Sequence, residues 1–315
     1  MLKLIKPKFW DQKKINYISM LFFPITAIVI AYIFLKKIIL TQISFNIPII
    51  CIGNIYIGGT GKTPMSILLA KDLKKNGLNP VILRKYYKNH EDEYGLIKNN
   101  FNELLINKKR IDGVYEAEKK GYDILILDDG LQDYKIKKNL NIVCFNDNQL
   151  IGNGLVLPSG PLRESLNALK NINIVIINGE KNLNFERKIL NINNNLEIYY
   201  AKYVPENIDA FKNKKLLALA GIGNPENFLK LLEKNKLNVE KKFFFPDHYS
   251  FTKNEIQNII DIAEKDKLKI IMTEKDFFKI NKFKFNKLDY LKVSLKLNNK
   301  ENLINRIKTL YDQKI

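Results

Sequence analysis

Histidine, cysteine, tryptophan and arginine are almost missing from this chain of 315 residues, which carries two, two, one and five of them. The two cysteines, Cys51 and Cys144, lie inside apolar runs. Neither a disulfide framework nor a metal-ligand spacing is therefore available, and the thiol content is compatible with a reducing cytoplasm. Acidic residues are also short, 33 against 52 basic ones, for a formal net charge of +19. Such an excess favours an acidic partner, whether nucleic acid, anionic lipid or a phosphorylated substrate. Most of it is lysine spread along an Asn- and Ile-rich sequence, as compositional drift also produces. With no recognition motif and no arginine-rich stripe interleaved with aromatics, nucleic acid is not expected as a partner. The few arginines, Arg84, Arg110, Arg163, Arg187 and Arg306, are the informative minority. A guanidinium fork matches phosphate bidentately, and an ammonium does not. No internal repeat is detectable, and the length suffices for two compact domains or one large one.

Charge is absent altogether from Ile15 to Leu35, an apolar run flanked by Lys13-Lys14 and Lys36-Lys37. Its length allows a membrane span, an interfacial helix or a buried core helix. A signal peptide is not expected, because no small-residue cleavage site follows and a nucleotide-binding loop lies downstream. Apolar residues on all sides and the bracketing Tyr17 and Tyr32 favour an interfacial anchor. Residues 1–45 are accordingly expected to form a basic, apolar, membrane-associating segment.

What is present in abundance is phosphate-binding chemistry. Pro48 to Pro64 reads PIICIGNIYIGGTGKTP, an apolar strand followed by a glycine-rich loop, with the helical spacing of Ile67, Leu68, Ala70 and Leu73 behind it. In a P-loop, backbone N–H groups turn onto phosphate oxygens, the lysine reaches the β and γ phosphates, and the threonine hydroxyl ligates Mg²⁺. Gly58, Gly59, Thr60, Gly61, Lys62 and Thr63 are thus the candidate nucleotide cradle at a helix N-terminus. Tyr56 stands where the general motif has its first glycine. Gly58 and Gly59 supply the flexibility instead.

Strands and helices then alternate as in an open parallel sheet covered by helices. Pro80–Leu83, Asp123–Leu127, Asn141–Phe145 and Ile172–Ile177 read as strands, with a short helix over 114–120. A second series begins near Lys215, with strands over 216–220, 239–245 and 270–272, a helix over 225–235, and a capping box at Thr252 and Glu255. The expected organisation is a P-loop NTPase-like α/β domain over 46–190, an Asn-rich hinge over 191–213, and a smaller α/β domain over 214–315. Ligands in such sheets sit beyond the carboxyl ends of the strands.

Two carboxylates end the apolar strand LILDDG, the Walker B arrangement, and Asp128 and Asp129 are candidate Mg²⁺ ligands with Thr63. The same pattern also serves as a turn and helix cap. Gly152 to Glu164, GNGLVLPSGPLRE, cannot form a regular element, so it is either a substrate loop carrying Arg163 and Glu164 or a rigid connector. GIGNP at 221–225 has Glu226 in place of a dinucleotide fingerprint's third glycine. His248, in FPDHYSF, follows a strand beside Asp247, so either a structural or a proton-handling role is open.

GNIYIGGTGKTP, DDGLQ, GNGLVLPSGPLRE, AGIGNPENF, FPDH and MTEKD run in order from Gly53 to Asp276. In this set the chain resembles the tetraacyldisaccharide 4'-kinases, the lipid A 4'-kinases of Gram-negative bacteria, and its uncharged N-terminal run resembles that family's membrane-associating helix. The resemblance implies phosphorylation, with ATP and Mg²⁺, of the 4'-hydroxyl of an anionic tetraacyl disaccharide 1-phosphate. The setting would be the cytoplasmic face of the inner membrane, among its lipids, and the product lipid IVA; protein partners stay open. It also implies two α/β domains joined by a hinge. It assigns Asp92, in HEDEYGL, as the catalytic base, His248 as the residue that orients it, and Lys62 as the phosphate lysine. Arg84, Arg110, Gln132, Arg163 and Glu164 would bind the acceptor. The chain departs from the family pattern at Leu83-Arg84-Lys85-Tyr86, which replaces Ser-Arg-Gly-Tyr, in a shortened stretch before Asp92, and at Asp133, where a histidine is common. Glu91 and Glu93 therefore compete with Asp92. The alternative is another membrane-associated P-loop kinase or a regulatory ATPase, separable by whether ATP turnover depends on the lipid disaccharide.

Overall fold

β-branched and leucine-rich pentads flanked by glycine and asparagine dominate the first half of the chain, and in the computed structural model they form a parallel sheet. The structure describes residues 7–12, 15–88, 90–246, 249–286 and 288–313. In chain order the elements begin with α1 (Tyr17–Leu21), α2 (Phe23–Ile39), β1 (Ile49–Gly53), α3 (Lys62–Lys75), β2 (Pro80–Lys85) and α4 (Glu91–Asn100). There follow β3 (Leu104–Asn107), α5 (Arg110–Lys119), β4 (Ile124–Asp128), β5 (Leu140–Asn146), β6 (Ile174–Asn178), α6 (Leu183–Leu190) and β7 (Glu197–Pro205). The remainder is β8 (Lys215–Ala220), α7 (Pro225–Lys234), β9 (Asn238–Phe244), α8 (Lys253–Lys265), β10 (Lys269–Thr273), α9 (Glu274–Ile280), β11 (Asp289–Leu291), β12 (Val293–Leu297) and α10 (Lys300–Asp312).

The larger sheet has the order β12-β7-β6-β5-β1-β4-β2-β3. β1 pairs in parallel with β4 on one side and β5 on the other, Ile52 lying opposite Asp128 and Ile142. Both alternating sets of strand side chains are fully buried, Ile49 and Cys51 on one face and Ile50 and Ile52 on the other. Helices cover both faces, which is why these strands read as continuous apolar runs. α5 approaches the sheet closely at Gly113, where a Cβ would stand 2.3 Å from the Leu83 Cδ1. Strand order reverses at β1, so the crevice beyond its carboxyl end is the switch point of a doubly wound sheet. Cys51 and Cys144 are buried free thiols, and burial pushes them up to about 11 and about 12.

A smaller parallel sheet has the order β11-β10-β8-β9. Leu217, Leu219, Ile270 and Met272 pack on Ile256, Ile259, Ile260 and Ala263 of α8. Leu216, Ala218, Ala220 and Ile271 pack on Phe228 and Leu232 of α7. Thr252 and Glu255 form the expected capping box at the start of α8.

The chain divides into two compact units, but not consecutively. Among the described residues, one unit comprises 7–86, 103–202 and 296–313, and the other 87–102 and 203–295. This differs from the 46–190, 191–213 and 214–315 partition at three points, each with a packing reason. α4 belongs to the second unit: Asn99 and Asn100 donate to the Glu274 carboxylate at 3.1 Å, and a Cβ at Gly95 would lie 3.1 Å from the Phe278 ring. The Asn-rich 191–213 segment contains a regular strand, β7. α10 belongs to the first unit, where Lys300 pairs with Asp72 at 3.0 Å and the Tyr311 hydroxyl donates to Asp123 at 3.2 Å.

The N-terminal helices invert the usual burial. Ser19 and Thr26 are their buried residues, while Tyr17, Leu21, Ile28, Ile38 and Ile39 are at least 65% exposed. The Thr26 hydroxyl donates to Ser159 Oγ at 2.7 Å, Asn153 Nδ2 donates to Ser19 Oγ at 3.2 Å, and the Trp10 indole donates to the Pro158 carbonyl at 2.9 Å. Polar contacts thus seat the segment on the 153–164 loop. The core-helix alternative fails because the apolar side chains point outward. The spanning alternative fails too, since no described helix is long and apolar enough to cross a membrane; the apolar run breaks between α1 and α2, just before Pro24.

Because the segment holds its loop in place, deletion would disturb more than lipid contact, and point substitution gives the cleaner test of the interfacial expectation. Exchanging exposed Ile28 and Ile39 for aspartate is expected to leave the melting temperature unchanged. Each isoleucine withdrawn from lipid forfeits ~1.5–3 kcal/mol, so co-sedimentation with anionic vesicles is expected to fall at least ~tenfold. Undiminished vesicle binding would remove this face from any role at the membrane.

Candidate active site

The chain leaves β1 at Gly53 and enters α3 at Lys62, and the turn between them needs left-handed backbone at Gly58 (φ 116°) and Gly61 (φ 88°). Gly61 is the N-cap of α3 and offers no side chain, so the first N–H groups of the helix stay available to an anion. Two asparagines hold the loop from outside. Asn54 Nδ2 donates to the Gly58 carbonyl at 3.2 Å, and Asn178, at the end of β6, donates to the Thr60 carbonyl. Tyr56, in place of the motif's first glycine, is a core residue whose hydroxyl donates to Asp11 at 2.6 Å.

At the end of β4 the buried Asp128 carboxylate gathers the neighbouring elements. It accepts from Thr63 Oγ1 at 3.0 Å and Ser66 Oγ at 3.1 Å, both on α3, and from the Arg84 guanidinium on β2, which also donates to Thr63 Oγ1 at 3.1 Å. Asp129 follows in left-handed conformation (φ 56°), which turns its side chain toward a different set of cations. Arg163 lies 2.9 Å and Lys62 3.8 Å from its carboxylate, and Arg110 donates to its carbonyl at 2.5 Å. Burial would push the Asp129 carboxyl up; Lys62, Arg163, Arg84 and Arg110 outweigh it and hold the group well below the usual carboxylate range. Burial lowers Lys62, partly offset by Asp129.

The residues expected to bind the acceptor adjoin this cluster. Gln132 Nε2 donates to Glu164 Oε1 at 3.0 Å and to the Asn54 carbonyl at 3.2 Å, and Lys37 of α2 pairs with Glu164 at 2.5 Å. Asp133, in the position of the common histidine, lies 3.6 Å from Arg110. Lys62, Thr63, Arg84, Arg110, Asp128, Asp129, Gln132, Arg163 and Glu164 therefore form one contiguous network within the first unit. Arg84 is buried among carboxylate and hydroxyl groups, where it braces Thr63 and Asp128.

Among the described residues no group of three or more His, Cys, Asp or Glu could hold a metal ion. Mg²⁺ does not require one, since it takes one or two carboxylates, a hydroxyl and substrate phosphates. The hard oxygen donors of Thr63 and Asp128, 3.0 Å apart, fit that chemistry, with Asp129 adjacent.

Asp92 lies in the second unit, in the first turn of α4, and is 2% exposed. Its Oδ2 is 3.5 Å from both Lys275 and Lys279 of α9. Of its competitors, Glu91 is exposed, and Glu93 contacts His90 Nδ1 at 2.9 Å and Lys275 at 3.5 Å. His248 lies outside the described residues. Sequence reasoning missed Asn54, Ser66 and Asn178. The available signal was a polar residue closing an apolar strand run at the carboxyl edge of the sheet, which Asn54 and Asn178 both satisfy.

Residues 16–312 match the family described as tetraacyldisaccharide-1-P 4'-kinase, LpxK. The chain is 42% identical to the tetraacyldisaccharide 4'-kinase of Pelagibacter ubique (strain HTCC1062), over 97% of this chain and 98% of that protein. It is 32% identical to the tetraacyldisaccharide 4'-kinase of Francisella tularensis subsp. novicida (strain U112), over 92% of this chain and 99% of that one. In fold it is similar to LpxK from Aquifex aeolicus in complex with ATP, with a TM-score of 0.69 and 22% identity over 93% of this chain and 99% of that one.

Lys62 is the loop's cation, paired with Asp129, whereas Thr63 and Asp128 brace its base. Lys62→Ala is expected to lower the rate of phosphoryl transfer from ATP at least ~10²-fold, with the melting curve preserved. A folded variant with near-normal turnover would overturn the phosphate-binding assignment.

Proposed function

The chain belongs to the tetraacyldisaccharide 4'-kinase family, and on that premise we propose that it transfers the γ-phosphate of ATP to the 4'-hydroxyl of tetraacyldisaccharide 1-phosphate in lipid A biosynthesis. The observation that carries this reading is the single network joining the phosphate loop through Asp128 and Asp129 to Arg163, Gln132 and Glu164. A regulatory ATPase has no need of an acceptor-binding set wired into its metal ligands.

In this reading the loop N–H groups and Lys62 bind the triphosphate, and Thr63, Asp128 and Asp129 would hold Mg²⁺, which would supply charge neutralisation on the phosphates. Arg163 and Arg110 stand over the same charge, and Gln132 with Glu164 orients sugar hydroxyls through hydrogen bonds. Asp92 accepts the proton of the attacking hydroxyl, and His248 assists by orienting it. Asp92 is favoured over its neighbours because it is the buried carboxylate flanked by two ammoniums, and a base must be ionised before it can take a proton. Family membership implies association with the inner membrane, and the outward apolar face of α1 and α2 supports an interfacial mode, with the helices lying at the surface beside an amphiphilic substrate.

The direct test is transfer of radiolabelled γ-phosphate from ATP to the purified disaccharide 1-phosphate, with product identified by mass. ATP hydrolysis indifferent to the lipid would overturn the reading. Asp92→Asn is expected to depress kcat ~10²–10⁴-fold and leave ATP affinity unchanged, because the base acts on the sugar hydroxyl. Should Glu91→Gln or Glu93→Gln abolish transfer while Asp92→Asn retains it, the base is a neighbouring carboxylate.

A further inference from the structure

The phosphate loop and its partners use the carboxyl edge of the larger sheet, and the amino edge of the same sheet carries polar side chains to which phosphoryl transfer gives no work. β5 and β6 are each entered through a lysine and an asparagine, Lys137 with Asn139 and Lys170 with Asn173. All four line one groove of about 700 Å³ in the first unit. The asparagines are fixed by the sheet itself. Asn139 Oδ1 accepts from the Ile49 N–H and Asn173 Oδ1 from the Asn141 N–H, each at 2.9 Å. Since a backbone N–H can be met only by the amide oxygen, the orientation of each carboxamide is settled, and its amino group is directed away from that bond. Neither Nδ2 has a partner among the described residues.

The charges around the groove are sorted in the same way. Its one acid among the described residues, Glu164, is held by Lys37. Lys138 is committed to the Leu131 and Asp133 carbonyls, and Arg306 to Glu197. Lys137 and Lys170 are exposed and have no ion-pair partner among the described residues. Two positive charges and two amide amino groups thus stay uncommitted, and all four are donors. A hollow that offers donors and excess positive charge selects an anion rich in acceptor oxygens, and its volume lies in the range of small-molecule sites. We propose that this groove binds a soluble sugar phosphate, with the phosphate on Lys137 and Lys170 and further ligand oxygens on the Asn139 and Asn173 amides. The ligand is not a reactant, because the strands separate it from the phosphate loop. Lys37 and Glu164 are common to the groove wall and to the network around Gln132, so the test keeps the transfer site filled.

The full chain is titrated calorimetrically with glucose 1-phosphate in the presence of saturating Mg²⁺, a non-hydrolysable ATP analogue and the disaccharide 1-phosphate in detergent. Glucose 1-phosphate is expected to bind and glucose is not. Combining Lys137→Gln with Lys170→Gln is expected to weaken binding at least ~tenfold, through loss of two charge-assisted contacts. Asn173→Asp retains an oxygen for the Asn141 N–H but replaces the donor with an acceptor, and is expected to weaken binding as well. kcat and KM for ATP are expected to be unchanged in these variants. Absence of binding to the wild-type chain, or an affinity indifferent to substitution in folded variants, overturns the site. Equal binding of glucose overturns the preference for an anion. Binding seen only when the disaccharide is omitted assigns the phosphate to the acceptor site and overturns a separate one. Displacement by vesicles of phosphatidylglycerol, with none by phosphatidylcholine, assigns the groove to a lipid headgroup and overturns the soluble ligand. If Asn173→Asp fails to fold by its melting curve, the exposed lysine pair is read alone with the same outcomes.

Discussion

The Asp128 carboxylate has no exposed surface, and a buried charge survives in a protein interior only when its oxygens are met by donors. Thr63 and Ser66 from α3 and Arg84 from β2 meet them. Two separate pieces of chain are therefore required to converge on the end of β4, and the phosphate loop, which lies between β1 and α3, has its far end fixed as a result. The near end is fixed by the sheet, where β1 lies between β4 and β5. The asparagines at 54 and 178 then need only shape the span between. Deprive Asp128 of its donors and the loop loses an anchor before any ligand is considered.

Asp129, one residue on, is placed on the other side of that anchor by left-handed backbone and meets a separate set of cations. The pair thus divides its labour by geometry. One carboxylate binds the fold together, while the other joins Lys62 to the arginine that leads to Gln132 and Glu164. The second unit solves the opposite problem at Asp92, where an acid is buried on one helix and the compensating charge comes from lysines on another.

What the sequence made legible was whatever is encoded locally. The strand-loop-helix of the phosphate loop, the paired aspartates after LILDDG and the capping box at Thr252 are each written in consecutive residues, and each stands where the pattern put it. The membership of α4 was not legible, because the reasons it joins the second unit, Asn99 and Asn100 on Glu274 and Gly95 against Phe278, lie some 170 to 180 positions away in the chain. The return of α10 rests on pairs with Asp72 and Asp123 that are more distant still, 228 and 188 positions away. Arg84 shows the limit at the level of a single side chain. Its residue type announced a strong anion partner, and the partner turned out to be the protein's own carboxylate. At Ile15 to Leu35 hydropathy identified a surface that avoids water, yet the orientation was decided by two of its polar members, Ser19 and Thr26.

That inversion has a consequence for how the N-terminal segment can change over generations. An outward face defined only by its aversion to water is indifferent to which aliphatic or aromatic side chain supplies it. Drift among isoleucine, leucine, valine and phenylalanine there is close to silent. Ser19 and Thr26 are fixed by hydrogen-bond geometry against the 153–164 loop and have no such latitude. Ordinary proteins accumulate change on the outside and preserve a greasy interior; in this segment the roles are exchanged, and its lineage would be traced most reliably through two small hydroxyl residues.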